Sequence, residues 1–246
     1  MPPRQVRIYD NVEQLSRAAA EWFVQLASDA VARSGRFTVA LAGGSTPKRL
    51  YQLLAEPPYR DQIDWPKLEI FWNDERAVPP DHPESNYKMV WDALLSRVPV
   101  ARARIHRMAG EAADADQAAI AYQHEMAAAL AISAEGPPPT LDLVLLGIGE
   151  DGHTASLFPC TEALEEHSRW VVANHVPQRS MFRLTMTLPI LNQARQVIFL
   201  VTGAEKAAIL SEILEGASEP RRLPSQAVQP IDGQLCWLLD RQAAGQ

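Results

Sequence analysis

Two rhythms of apolar residues alternate along the chain. Largely apolar runs at 37–41, 68–72, 141–146, 170–173, 197–201 and 235–238 have the length and composition of buried strands. Between them the apolar spacing becomes helical. Val12, Leu15, Ala19, Trp22, Phe23, Leu26 and Ala30 recur behind the cap candidates Asp10 and Asn11. Further helices are expected from Pro47, which suits a first turn, to about Leu54, near 86–95, over 114–132 and over 204–215. The stretch Gly136-Pro137-Pro138-Pro139 stops anything helical before the strand that follows. With a short strand ahead of the first helix, this alternation predicts an α/β fold. The form expected is a Rossmann-like three-layer sandwich around a mostly parallel sheet, with residues 1–246 forming a single domain.

Composition narrows the partners. Apolar residues make up 47% of the chain and charged residues 22%, ample for a core. A net charge of -7 argues against nucleic acid or an anionic membrane, so any phosphate site must be built locally from a few cations and backbone amides. Nowhere do ~18 apolar residues run together, so no membrane span is expected. Cys160 and Cys236 match no metal or redox spacing. The N-terminus has no secretory pattern, and a cytoplasmic protein is expected.

Open parallel sheets hold ligands at the carboxyl ends of their strands, and four loops there carry unusual chemistry. Gly43-Gly44-Ser45-Thr46-Pro47 follows the 37–41 strand and offers close backbone approach, two hydroxyls and helix N-terminal amides to an anion. It is not a Walker loop, and turn chemistry alone stays open for it. Asn73-Asp74-Glu75-Arg76 reads as a polar loop after 68–72, and a salt-bridged loop is the alternative there. Gly147-Ile148-Gly149-Glu150-Asp151-Gly152-His153 places a carboxylate two residues from an imidazole, the side chain whose ionisation spans neutrality. Thr202-Gly203-Ala204-Glu205-Lys206 sets Lys206 near the first turn of a helix, and Arg183 is a fifth cation candidate.

Gly147-x-Gly149-x-x-Gly152 also matches a dinucleotide fingerprint. Pro159 interrupts the required helix, however, and the next strand ends in Asn174-His175 without the ribose-binding carboxylate, so that reading is rejected. Glu165, Glu166, His167 and His175 fit no common metal spacing and are expected at the surface, and no metal is expected. Without a strong nucleophile, the economical reaction is attack by base-activated water on an already electrophilic carbon.

Taken together these residues resemble the 6-phosphogluconolactonase family, within the wider glucosamine-6-phosphate deaminase-like superfamily. The likeness rests on Leu41-Ala42-Gly43-Gly44-Ser45-Thr46-Pro47, Trp72-Asn73-Asp74-Glu75-Arg76 with Ser85-Asn86-Tyr87, 149–159, Arg183-x-Thr185 and Thr202-Gly203-x-x-Lys206. The resemblance implies a cofactor-free hydrolase that opens 6-phospho-D-glucono-1,5-lactone to 6-phosphogluconate in the pentose phosphate pathway. By that analogy His153 is the base, Asp151 orients it, and Arg76 faces the substrate with Asp74 nearby. Gly43, Gly44, Ser45, Thr46, Arg183 and Lys206 would cradle the phosphate. The partner implied is a small sugar-phosphate lactone, and a monomer is expected.

Two other readings stand beside this one. Glucosamine-6-phosphate deaminases of the superfamily carry a glutamate just before the proline, where this chain has Phe158, and read Asp-Glu-Tyr where it has Asp74-Glu75-Arg76. A non-catalytic sugar-phosphate sensor would bring a DNA-binding segment, which is not expected within these 246 residues. The sequence leaves open whether Glu75 and Arg179 touch substrate.

Overall fold

Strands whose residues are apolar on both faces pair only where both faces are covered, and that requirement organises this chain. The computed structural model describes residues 4–177 and 181–246. In chain order the elements are β1 (Gln5–Tyr9), α1 (Val12–Ser34), β2 (Phe37–Leu41), α2 (Ser45–Leu54), β3 (Leu68–Trp72), β4 (Asp74–Arg76), α3 (Asn86–Ala93) and α4 (Ala115–Leu130). They continue with β5 (Leu143–Leu146), β6 (Val171–Val176), β7 (Met181–Met186), α5 (Leu188–Leu191), β8 (Gln196–Val201), α6 (Ala207–Glu215) and β9 (Gln234–Asp240).

Six strands form one sheet in the order β1-β9-β8-β5-β2-β3, with every neighbouring pair parallel. β2, β3, β5 and β8 are buried along their whole length. One face, through Val39, Leu41, Ile70, Leu145 and Leu200, packs on Leu15 and Phe23 of α1, Leu50 and Leu54 of α2, and Val90 of α3. The other face, through Phe71, Val144, Phe199 and Trp237, packs on Tyr122 and Met126 of α4 and Leu210 and Ile213 of α6. The three-layer α/β arrangement expected from the alternation is the one found. Among the described residues, no helix is long and apolar enough to cross a membrane.

Helix boundaries follow their caps. Asn11 rather than Asp10 caps α1, accepting from the Gln14 amide at 3.0 Å. Ser85 caps α3 and Asp114 caps α4 in the same way. The helix expected over 204–215 divides into a 3-10 turn at Ala204–Lys206 and then α6. The 141–146 run becomes β5 from Leu143, and just ahead of it the Asp142 carboxylate accepts from the backbone amide and hydroxyl of Thr38, both at 2.9 Å, and from Arg33 at 2.6 Å.

The departure that matters is a second, antiparallel sheet in the order β4-β7-β6. The segment Asp74-Glu75-Arg76, read from sequence as a polar loop, is a short strand. Asn73 is the swivel between the sheets. Its N–H donates to Leu41 O at 3.0 Å beside the large sheet, while its carbonyl accepts from the Met186 amide at 2.7 Å in the small one.

Candidate active site

Because the six strands run parallel, the loops after β2, β3, β5 and β8 open at one end of the sheet, and these loops carry the candidate groups. After β5 the chain folds tightly, with the Gly149 amide donating to His153 O at 2.8 Å. His153 Nδ1 lies 2.6 Å from Asp151 Oδ1, and the same oxygen accepts from the His153 backbone amide at 3.2 Å. Partial burial opposes the ionisation of Asp151, but the hydrogen bonds and charge of His153 outweigh it and hold the carboxyl below its ordinary range. An ionised carboxylate only accepts, so the tautomer assigned from this partner has the proton on Nδ1 and a lone pair on Nε2.

Two neighbours fix the ring. Phe158 stacks on it, with centroids 4.0 Å apart and planes inclined by 21°. Gly149 lies so close that a Cβ there would fall 2.0 Å from His153 Nδ1 and 2.6 Å from Asp151 Oδ1. Only glycine fits.

β4 separates its side chains by the two-residue period of a strand. Glu75 turns to one side and caps α3, its carboxylate accepting from the Asn86 and Tyr87 amides at 2.8 Å and from Ser85 Oγ at 3.0 Å. Burial raises its pKa, with those amides pulling against the rise. Asp74 and Arg76 share the other side. Asp74 accepts from Asn86 Nδ2 at 3.0 Å and from Ser156 Oγ at 2.7 Å, which ties β4 to the loop that carries His153.

Arg76 stands directly opposite Arg183 in the β4–β7 register. Arg76 Nη1 donates to Glu84 O at 2.5 Å, while its buried Nε meets no acceptor among the described residues. Arg179 lies outside the described residues.

The remaining candidates line the neighbouring loops. Gly43 runs against Asn86, where a Cβ would sit 1.9 Å from Oδ1. Gly44, the N-cap of α2, has no side chain to cap it, so the first-turn amides and the exposed Ser45 stay open to an anion. Thr46 Oγ1 and Thr202 Oγ1 share a 2.7 Å hydrogen bond that joins the β2 and β8 loops. Lys206 closes the 3-10 turn after Gly203 and makes no ion pair among the described residues. Ile209, the residue one turn further along α6, approaches Gly152. Ser45 and Lys206 are thus set on the same rim by their strands, with no described hydrogen bond joining either to His153.

Sequence reasoning had no role for Ser156 or Asn86 as struts, nor for Phe158 against the imidazole. An isolated serine or asparagine carries no periodic signal. Among the described residues, no group of three or more His, Cys, Asp or Glu is placed to hold a metal ion. A cavity of about 660 Å³ lined by Ile213, Val228, Leu235 and Trp237 contains none of the candidate groups; Leu235 and Gln234 start β9, at the opposite end of the sheet.

The chain matches the family described as glucosamine-6-phosphate isomerases/6-phosphogluconolactonase over residues 10–237. It is 43% identical over 239 residues to a protein of Synechocystis sp. named 6-phosphogluconolactonase, spanning 97% of this chain and 96% of that one. The 6-phosphogluconolactonase of Trypanosoma cruzi superposes with a TM-score of 0.87 at 31% identity, covering 99% and 96% of the two chains. A monomeric glucosamine-6-phosphate deaminase, 23% identical, shares the fold with a TM-score of 0.80 over 98% of this chain and 99% of that one. By sequence over nearly its full length and by fold, this chain belongs to the glucosamine-6-phosphate isomerase/6-phosphogluconolactonase family.

Proposed function

We propose that this chain hydrolyses 6-phospho-D-glucono-1,5-lactone to 6-phospho-D-gluconate, the lactone-opening step of the oxidative pentose phosphate pathway, and needs no cofactor to do so. The observation that carries the reading is the imidazole itself. His153 is held by Asp151 through Nδ1 and keeps Nε2 for a water, at the sheet end where Arg76 and Arg183 face each other. The protein of Synechocystis sp. that shares 43% identity bears the corresponding name.

A lactone is an ester, so its C1 is electrophilic before the enzyme acts. Nε2 takes a proton from water as the oxygen attacks C1, a role in the range of 10²–10⁴-fold for a placed base. Charge builds on the carbonyl oxygen, and one fixed donor there contributes roughly 3–4 kcal/mol. By the family resemblance, Arg76 is the side chain assigned to it. As the intermediate collapses, the bond from C1 to the ring oxygen breaks, and the imidazolium returns its proton to that oxygen. The α2 amides, Ser45, Thr46, Arg183 and Lys206 anchor the remote phosphate with Gly43 and Gly44 as its backbone bed, lowering the entropic cost of aligning C1 with the water. Asp74, committed to Asn86 and Ser156, holds the two loops in register.

Deamination of glucosamine 6-phosphate would call for an acid beside the imidazole, where Phe158 stands. A non-catalytic sensor would have no use for an oriented Asp151–His153 pair. We further read residues 1–246 as one domain, working as a cytoplasmic monomer. The test is an NMR time course of freshly made lactone with and without enzyme, corrected for spontaneous opening, with a parallel sample of glucosamine 6-phosphate assayed for ammonia. Accelerated lactone loss without ammonia is expected. Ammonia release, or lactone loss at the spontaneous rate, contradicts the proposal.

A further inference from the structure

A base that must meet one water needs its ring fixed in more than one direction, and a single hydrogen bond still lets an imidazole pivot. The Asp151 bond restrains His153 at Nδ1 only. Phe158 covers a face of the ring at 4.0 Å and is itself only 4% exposed.

Phe158 stands on a firm mount. Its carbonyl accepts from Thr161 Oγ1 at 2.8 Å, and that hydroxyl accepts from Asn174 Nδ2 at 3.0 Å on β6. Asn174 Nδ2 also reaches Ser156 O at 2.8 Å. Two non-glycine residues bracket the segment in the left-handed region, Ala155 at φ 49° and Cys160 at φ 58°. Such backbone costs of order 1 kcal/mol per residue and persists where the surroundings over-determine it. The loop is therefore held in a strained shape that delivers one aromatic ring onto one imidazole.

We infer that Phe158 is a positioning residue for His153. Its ring covers one face of the imidazole while the bare backbone of Gly149 leaves room for the Nδ1–Cε1 edge, so the ring is restrained in two directions with Nδ1 on Asp151. The inference rests on the reading of His153 as the base. Phe158 touches no reacting atom, and it contributes by excluding rotamers in which Nε2 is turned from the water.

The test pairs kinetics with histidine NMR on the full chain, using Phe158→Leu to remove the aromatic face at modest volume cost and Phe158→Tyr to retain it. The His153 signals are assigned by comparison with His153→Gln, and thermal melts show that each variant is folded. In Phe158→Leu, kcat should fall about tenfold or more with KM within roughly twofold, the signature of lost alignment rather than lost binding. The His153 ring protons should move downfield as the aromatic ring current goes, and the Nδ1–H tautomer should lose dominance. Phe158→Tyr should restore both. A folded Phe158→Leu with wild-type kcat, or with His153 ring signals and tautomer unmoved, overturns the inference, as does a Phe158→Tyr that fails to restore them. If the wild-type chain does not hydrolyse the lactone, the functional reading fails, while the NMR comparison still decides whether Phe158 sets the ring.

Discussion

Gly149→Ala puts the geometry of the imidazole to a quantitative test. The added Cβ would lie 2.0 Å from His153 Nδ1, 2.2 Å from Cε1 and 2.6 Å from Asp151 Oδ1. Real Cβ contacts stay above 3.0 Å, so the ring must retreat by about 1 Å. Gly149 has no left-handed φ, so alanine brings no backbone strain of its own. The His153 and Asp151 side chains are 23% and 44% exposed, and they can yield toward solvent instead of forcing the core apart.

The loss therefore falls on alignment. A misplacement of 1 Å costs about 10²-fold, or about 2.7 kcal/mol of transition-state stabilisation. Stability should change by no more than about 1 kcal/mol, a Tm shift of about 2–4 °C in a chain of this size. Gly147→Ala is the matched control, since its Cβ would meet nothing closer than Leu200 O at 3.9 Å. Initial lactonase rates beside thermal melts make the comparison. Near-wild-type activity in Gly149→Ala, or equal losses in the two variants, would refute the reasoning.

His153→Ala should abolish most lactone hydrolysis, by 10²–10⁴-fold on the scale of a lost general base, with product affinity by calorimetry largely kept. Arg183→Ala and Lys206→Ala should mainly raise KM, because an anchor acts on ground and transition states alike, and a pure kcat loss would count against the cradle. Glu166 accepts from the Ser168 and Arg169 amides and from Arg169 Nε. Burial opposes its ionisation, but these bonds prevail and hold its pKa at about 2 against an ordinary 4.5. A lowered folded pKa adds stability above the unfolded value that disappears as pH falls through the folded one. Glu166→Gln should therefore lower stability by about 1–2 kcal/mol at pH 7, allowing for solvent screening, with the gap closing between pH 4.5 and about 2 in pH-resolved melts.

The large sheet was legible because its strands announce themselves. β2, β3, β5 and β8 are buried on both faces, and near-continuous apolar runs are what such strands require. The site loops were legible for the related reason that parallel strands all deliver their carboxyl ends to one edge. β4 was hidden, since three consecutive charged residues contradict every local strand preference. It exists because Glu75 discharges into the N-terminus of α3 while Asp74 finds Ser156 and Asn86, and those partners lie ten or more residues away. The Arg76–Arg183 pairing is a matter of register, which neither segment encodes alone. Phe158 could be read as an absent acid, but its stacking on the imidazole depends on how 155–160 bends.

Determining the structure of this chain with 6-phosphogluconate bound measures the central claim directly. The C1 carboxylate should lie about 3 Å from His153 Nε2, within hydrogen-bond reach, with the phosphate on the α2 amides, Ser45, Arg183 and Lys206. A product lying the other way round, with its phosphate against His153, or one seated away from this end of the sheet would contradict it.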